Sequence, residues 1–263
     1  MHLPIGQYSP SITLGLVSAS RNCFPRELSV ERTERLLKAA SDAGINLIMP
    51  QGECRVIETK EHAHEAASQL KAAGVDAVVF YLGNFSPEIE DAVFLKEFGG
   101  FAMILAAAEE SAASLLQKRG DALCGLLSAV LAVSKRGILD RIHIPESPVV
   151  SAAEGVAEIS HFIKVMKVVK GAKKATLGLF GPRPRDFETC NYNGASIASI
   201  GMEVEELGLF DLQNEIKKIK AEGGAKDIAK EMETSVAGVP KDEEFVSRLS
   251  DFSPRYLRNK PPV

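Results

Sequence analysis

The polar segment at residues 181–193 carries residue types that suit binding of a small polar molecule. It follows an apolar run at residues 176–180 and reads GPRPRDFETCNYN. Arginine offers a planar fork of donors, aspartate accepts, and asparagine does both, so this set suits a polyhydroxy ligand such as a sugar. Pro182 and Pro184 restrict the loop and lower the cost of ordering it around a ligand. The candidate binding residues are Arg183, Arg185, Asp186, Cys190, Asn191 and Asn193.

Two other interpretations of this segment stay open. The same side chains suit an anion held at the N-terminus of the helix that is predicted to follow. They also suit a helix cap within a salt-bridged loop between domains, which would need no ligand.

A second candidate lies at residues 18–26, SASRNCFPR, where the first predicted strand ends. Arg21 and Asn22 are the polar groups there, and open parallel sheets bind ligands at the carboxyl ends of their strands. An ordinary solvated loop is the alternative. The segment lacks the pattern G-x-G-x-x-G, so we expect no dinucleotide site.

The cysteines and histidines predict neither a nucleophile nor a metal centre. Four cysteines stand at positions 23, 54, 124 and 190, and none forms a C-x-x-C pair. Cys23 and Cys190 lie near arginines, but neither has a histidine close in sequence that could act as its base. His62 and His64 are two residues apart on a predicted helix, so they face different directions. No H-E-x-x-H motif is present, and we expect no metal ligands in this chain.

Apolar runs rich in β-branched residues alternate with segments of helical period, which favours a parallel sheet. Strands are predicted at 12–18, 45–49, 76–82, 101–106, 141–144, 176–180 and 203–206. Helices are predicted at 29–43, 61–73, 88–96, 121–135, 156–169, 195–200 and 211–221. The fold class is therefore predicted as α/β, an open, parallel, doubly wound (flavodoxin-like) sheet with a second, incomplete α/β unit.

Three details of this assignment can be checked directly. Ser29 is the expected N-cap of the first helix, and Gly44 is the expected residue that ends it. The helix at 121–135 is apolar on too many sides for a surface helix, so we expect it to be packed between layers.

Two domains are predicted. An N-terminal α/β domain covers residues 1–150, and residues 151–263 begin a second α/β domain with an irregular tail from about 235. Two strands are few for an independent sheet, so we expect the chain to stop inside a domain.

Composition excludes several functional classes. The net charge of −4 lacks the basic footprint of a nucleic-acid-binding protein, and Trp is absent. The most apolar run, residues 122–133, is too short to cross a bilayer, which needs about 20 residues. Residues 1–11 lack the basic and apolar regions of a signal peptide. We expect a reduced, cytoplasmic protein that binds neither nucleic acid nor membrane.

In this order and spacing, the motifs resemble the L-fucose isomerase/L-arabinose isomerase superfamily. The resemblance covers roughly residues 12–222, the N-terminal domain and the start of the middle domain. It rests on GDALCG at 120–125, Gly137 and Ile138 before the next strand, RPRDFETCNYN at 183–193, and IGMEVEE at 200–206 before Asp211 and Leu212.

The resemblance implies a cytosolic oligomer that interconverts aldoses and ketoses through an ene-diol, with a divalent metal, usually manganese. Family members take their metal ligands from the end of the middle domain and from the C-terminal domain. The resemblance gives this chain one wall of the sugar pocket, with Arg21 at the first-loop position and 185–193 as the substrate loop.

From the same resemblance we expect a small-molecule sugar as ligand, a homo-oligomer, and no cofactor in this chain. The metal is expected only in the complete enzyme, so the chain alone would be inactive. A cloned fragment, a truncated gene, or a short subunit completed by a second chain with the catalytic domain would each fit. A non-catalytic sugar-binding or regulatory module is the alternative, as is a structural α/β domain whose loops bind nothing.

Overall fold

The computed structural model describes residues 9–111 and 119–221, together with Glu244. These residues fall into two compact units, one formed by Ser11–Lys167 and the other by residues 9, 10 and 168–221. The predicted domain boundary at 150/151 stays a prediction. None of the described helices is long and apolar enough to cross a membrane.

The larger unit is built on a seven-stranded sheet in which every pairing is parallel. Its strands are β1 (Leu14–Ala19), β2 (Leu47–Ile48), β3 (Val56–Ile57), β4 (Ala77–Leu82), β5 (Phe101–Ala107), β6 (Ile142–His143) and β7 (Val149–Val150). The two short strands β2 and β3 pair with successive parts of β1, and β6 and β7 pair with successive parts of β5.

Counting each short pair as one strand, the spatial order is 2-1-3-4-5, the flavodoxin-like order. The helices of this unit are α1 (Arg26–Asp42), α2 (Lys60–Ala72), α3 (Glu88–Phe98), α4 (Ala122–Ser134) and α5 (Ala152–Ala172). The last five residues of α5 belong to the smaller unit. The predicted fold class, an open parallel α/β sheet flanked by helices, is confirmed.

The central strands are buried along their whole length because both sheet faces are covered. Every residue of β1 and β4 is buried, which is the pattern of a parallel sheet between two helix layers. Gly15 sits where a Cβ would meet Leu70, Val75 and Val78 at 3.2 Å. A larger residue in the middle of β1 would therefore push against α2 and the next strand.

The expected helix start at Ser29 was wrong. The first helix begins at Arg26 with Pro25 as its N-cap, and Ser29 is buried one turn inside it. The Ser29 hydroxyl donates to the carbonyl of Ala19 at 2.8 Å. That hydroxyl therefore satisfies the end of β1 and is not free to cap the helix. At the other end, Gly44 adopts φ 76° just after the helix, as predicted.

The helix α4 is not packed between layers, contrary to our expectation. It packs against α3 and β5, but Leu123, Leu127 and Leu131 are 51%, 65% and 56% exposed. These leucines lie four residues apart and share one face of the helix. We expected the apolar surface of this helix to be buried, but one side of it is exposed.

The smaller unit contains two parallel strands, β8 (Thr176–Phe180) and β9 (Glu203–Leu207). The helices α6 (Gly194–Ser199) and α7 (Leu209–Ala221) follow them in the chain. All four elements were predicted within a few residues. Leu177 and Leu179 on β8 are exposed. The irregular tail predicted from about 235 lies outside the described ranges, apart from Glu244.

Candidate functional site

Three loops meet at the carboxyl edge of the sheet in the larger unit. They follow β1 at residues 20–25, β4 at 83–87 and β5 at 108–110. Because adjacent parallel strands end at the same edge, side chains from these loops come together although they are far apart in sequence. This is the edge at which open α/β sheets hold their ligands.

Arg21 is fixed at this edge by the loop after β4. Its backbone N–H donates to the Phe85 carbonyl at 3.0 Å and to the Asn84 side-chain oxygen at 3.3 Å. Its guanidinium pairs with the Glu88 carboxylate and lies 4.5 Å from the centroid of the Phe85 ring. The side chain is 33% exposed. Arg21 therefore presents a held guanidinium, with part of its surface still open to a ligand.

Asn84 joins the loops after β1 and β4. Its side-chain amide donates to the Ser20 hydroxyl at 2.9 Å and to the Pro25 carbonyl at 3.1 Å. Asn84 and Ser20 are fully buried, so these bonds satisfy groups that water does not reach. The neighbouring Gly83 lies so close to α1 that a Cβ would be 2.6 Å from the Ser29 Cα. A residue larger than glycine at position 83 would therefore clash with the backbone of α1.

Phe85 also packs against the loop after β1. Its ring stacks on Phe24 with centroids 5.7 Å apart and planes 13° apart. Its backbone N–H donates to the Gly120 carbonyl at 2.6 Å, which links the loop to the residues just before α4. The Arg21 guanidinium therefore has an apolar, aromatic surface beside it. A donor fork next to an aromatic ring suits the mixed polar and C–H surface of a sugar.

Asp91 is a buried carboxyl directly behind this loop. The Ser86 hydroxyl donates to one of its oxygens, and the other, Oδ1, has no hydrogen-bond partner among the described residues. Burial raises the pKa of Asp91 well above its ordinary value, although the bond from Ser86 lowers it. Asp91 therefore holds Ser86, and with it the loop 83–87, from inside the protein.

Arg32 and Glu109 form a second buried polar group at the same edge. The Arg32 guanidinium donates to the Gly83 carbonyl and to the Glu109 carboxylate, both at 2.8 Å. The second Glu109 oxygen accepts from the backbone N–H groups of Gly120 and Asp121 at 2.9 and 3.0 Å. One carboxylate thereby connects α1, the end of β5 and the start of α4.

These bonds decide the ionisation of Glu109. Burial raises the pKa of its carboxyl, but the hydrogen bonds from Arg32, Gly120 and Asp121 outweigh burial and lower the pKa overall. Nearby, burial raises the pKa of Tyr81 to about 12, despite the opposing charges of Arg32 and Arg35. Glu109 is therefore ionised and Tyr81 neutral at physiological pH.

A cavity of about 310 Å³ opens beside this group. Backbone and side chains at the ends of β4, β5 and β7 form its wall. Its polar lining is Arg32, Arg35, Tyr81, Glu109, Glu110 and Ser151. Both glutamates pair with arginines, Glu109 with Arg32 and Glu110 with Arg35 at 2.9 Å. The lining therefore contains four charged side chains, and each negative charge is paired with a positive one.

The loop 181–193 lies in the smaller unit and is exposed. The Arg183 guanidinium donates to the Glu188 carboxylate within the loop at 3.0 Å. Asn191 accepts from the Tyr192 backbone N–H at 3.1 Å. Arg185, Asp186 and Cys190 expose their side chains.

Asn193 caps α6, because its side-chain oxygen accepts from the N–H groups of Ala195 and Ser196 at 3.0 and 3.3 Å. This matches the helix cap that we considered as the alternative for that position. Ligand binding by the other residues of the loop stays a prediction, as it does for Arg21.

No group of three or more His, Cys, Asp or Glu residues that could hold a metal occurs within residues 9–111 and 119–221. Cys23, Cys124 and Cys190 are exposed free thiols. Cys54 is buried, and burial raises the pKa of its thiol. His143 stacks on Phe162 with centroids 5.9 Å apart.

Sequence reasoning missed Asn84, Ser86, Asp91, Arg32 and Glu109. A signal for the first two was present, since they immediately follow β4, and the rule that pointed to Arg21 after β1 applies there equally. Glu109 likewise follows β5. Nothing in sequence spacing indicated Arg32, whose partners are 51 and 77 residues away.

Comparison with known proteins identifies one family. A family model described as the fucose/sulfoquinovose isomerase N-terminal domain matches residues 15–173. This range begins at the second residue of β1 and includes the rest of the parallel sheet of the larger unit. No curated protein matches the chain.

Proposed function

The chain belongs to the fucose/sulfoquinovose isomerase N-terminal domain family, and from this premise we propose that it supplies one wall of the sugar pocket of an aldose–ketose isomerase. Family membership gives the chain a sugar-isomerase-related carbohydrate function. The finer proposal concerns what its carboxyl edge contributes, namely contacts that bind and orient the sugar.

One observation carries the proposal, the way in which Arg21 is held. Both its backbone and its guanidinium are fixed, by Asn84 and Phe85 on one side and by Glu88 on the other. A side chain held before the ligand arrives loses little further entropy on binding. Arg21 can then donate to adjacent hydroxyls of a sugar while Phe85 lies against its C–H groups.

This edge suits hydroxyl groups better than a divalent cation. Its exposed donor is a guanidinium, and the carboxylates of Glu88 and Glu109 are already paired with arginines. In the complete enzyme we propose a divalent metal, with manganese expected, which polarises the substrate carbonyl when bound. Its ligands would come from another region, on this polypeptide or on a second one, and Arg21 would orient the sugar towards it.

We also propose that the loop 181–193 contributes a further polar wall through Arg185 and its neighbours, and that the protein works in the cytoplasm as an oligomer. Support for a reducing compartment comes from the four cysteines, which are all unpaired.

The test is a titration of the full chain with L-fucose, L-arabinose and sulfoquinovose, followed by ligand-observed NMR. We expect saturable binding of at least one sugar. Arg21→Gln should weaken that binding by about 10- to 100-fold, the worth of a charged hydrogen bond. Arg55→Gln is the matched control, since Arg55 is also surface-exposed and paired with a glutamate. Equal binding by the Arg21 variant, or no saturable binding of any of the three, would refute the proposal.

A further inference from the structure

The cavity of about 310 Å³ beside Arg32 is a feature that the proposed sugar contacts do not use. It lies where α1 and α5 pack on the same side of the sheet, since a Cβ at Gly155 of α5 would be 2.9 Å from the Leu36 side chain of α1. Its described lining includes neither Arg21 nor Phe85. The volume is at the lower end of the range of about 300–1,000 Å³ that is typical of small-molecule sites.

One buried donor of Arg32 makes no hydrogen bond at this cavity. The Arg32 Nε–H has no hydrogen-bond partner among the described residues, although only 2% of the side chain is exposed. The Glu110 Oε1 atom lies 3.5 Å from Nε, beyond the range of about 2.7–3.2 Å for such bonds. The other guanidinium nitrogens already donate to Gly83 and Glu109. Because buried donors are almost always satisfied in folded proteins, this one indicates that an acceptor binds beside it.

Two further donors belong to the lining of the same cavity. Tyr81 is only 3% exposed, and within the described residues its hydroxyl makes no hydrogen bond. Besides burial, which raises it, the charges of Arg32, Arg35 and Glu110 affect the pKa of this hydroxyl, so these groups lie near it. Ala152 is the first residue of α5, and its N–H has no acceptor inside the helix. The lining thus combines donors from α1, β4 and the start of α5.

The Glu110 carboxylate marks the position that an anion would take in this cavity. Its Oε1 atom lies 2.9 Å from the Arg35 guanidinium and 3.5 Å from Arg32 Nε, so one anionic oxygen stands between two arginines. Glu110 and Arg35 are 43% and 46% exposed, and exposed ion pairs contribute little to stability. Arg32, by contrast, is fixed by its buried hydrogen bonds. Displacing Glu110 into water therefore costs little, while Arg32 stays in place to receive another anion.

We propose that this cavity binds a small organic molecule through one oxyanion, a carboxylate or a phosphate group, which replaces Glu110 between Arg32 and Arg35. Arginine donors bind both groups through charge-assisted hydrogen bonds. One oxygen of the ligand accepts from Arg32 Nε–H and from Arg35, and the Tyr81 hydroxyl donates to another. The body of the ligand lies against the apolar part of the lining, formed by Ala107, Ala108, Val150 and Ala152. This inference does not rest on the proposed sugar contacts and can fail or succeed separately.

The experiment titrates the full chain with inorganic phosphate and, separately, with acetate, by calorimetry at fixed ionic strength so that general screening stays constant. We expect saturable binding of at least one probe, and the tighter probe identifies the group that the cavity takes. Arg35→Gln should weaken this binding by about 10- to 100-fold, since it removes a charged donor, and Tyr81→Phe by about 2- to 10-fold. Arg55→Gln is the control for Arg35, because Arg55 is 45% exposed and also paired with a glutamate. It should leave the affinity unchanged.

Glu110→Gln is the decisive variant, because it removes the carboxylate with which the ligand competes. It should tighten binding of the probe by about 10-fold. Glu31→Gln is the matched control: Glu31 also pairs with Arg35, at 3.3 Å, and is 59% exposed, but the described lining does not include it. It removes the same charge and should change the affinity by less than about 2-fold. Three outcomes would overturn the proposal: equal effects of the two glutamate variants, undiminished binding by Arg35→Gln, or no saturable binding of either probe by wild type and Glu110→Gln alike.

Discussion

The Arg32 guanidinium donates to the Glu109 carboxylate at 2.8 Å, and only 2% of the Arg32 side chain is exposed. Through this pair, α1 is connected to the end of β5 and, by the two N–H groups that Glu109 accepts, to the start of α4. The pair thus holds together three elements of the edge where we propose that sugar binds.

Replacing Arg32 should therefore cost more stability than replacing any exposed arginine nearby. Arg32→Met leaves the Glu109 charge half-buried and the Gly83 carbonyl without its donor. We expect a loss of about 2–4 kcal/mol in the free energy of unfolding, measured by urea denaturation. Arg35→Met is the control. Arg35 is 46% exposed, so its loss should be below about 1 kcal/mol. Similar losses in both variants would contradict the structural role of the pair.

The lowered pKa of Glu109 predicts acid sensitivity. A carboxyl whose pKa is lower in the folded chain stabilises the fold above its ordinary pKa of 4.5. That stabilisation disappears as the pH falls from 4.5 through the lower pKa of the folded state. Denaturation curves between pH 7 and pH 3 should therefore show a stability loss that Glu109→Gln reduces. An unchanged pH dependence in Glu109→Gln would show that other carboxyls cause the loss.

The contribution of Asp91 to the free energy of unfolding should depend on pH in the opposite direction. Its pKa is raised by burial, so the protonated form favours folding, and its contribution is lost as the pH rises through the raised pKa. Asp91→Asn removes the ionisable group while keeping an acceptor for Ser86. We expect this variant to gain stability relative to wild type at pH 8–9 and to gain little at pH 4. Glu27→Gln, an exposed acidic residue in the first turn of α1, is the control. A gain of equal size at both pH values would rule out titration of Asp91.

Variants of Arg185 and Asn193 should have different effects on sugar binding and on stability. Arg185 is exposed, so Arg185→Ala should change stability by less than about 0.5 kcal/mol while weakening sugar binding. Asn193→Ala removes the cap of α6 and should cost about 1 kcal/mol. Thermal denaturation and the sugar titration, run on both variants, check this contrast. A large stability loss in Arg185→Ala would make Arg185 a structural residue.

Much of the sheet could be predicted because its central strands are long, unbroken apolar runs. The run at 76–82 corresponds to β4, and the run at 101–106 corresponds to β5. By contrast, β3 at Val56–Ile57 and β7 at Val149–Val150 have two residues each. Two apolar residues carry no period, so only their pairing with β1 and β5 identifies them as strands.

The site was harder to predict than the sheet. Arg21 could be placed at the sheet edge because the end of β1 was recognisable. Its Phe85 and Glu88 neighbours could not be named, since which loops meet depends on strand order. Asp91 is an aspartate, which is usually exposed, but it lies at a fully buried position of α3. Sequence reasoning assigns such a residue to solvent, and only the packing around Ser86 shows otherwise.

The short paired strands at both sides of the sheet have a consequence for aggregation. Along each edge, a two-residue strand is followed by a break before the next one, as at Leu47–Ile48 and Val56–Ile57. A foreign strand therefore meets no long row of free backbone groups with which to pair, which is how native sheets avoid edge-to-edge growth. Growth through the edges of this seven-stranded sheet is therefore disfavoured, although its core strands are rich in β-branched and aromatic residues.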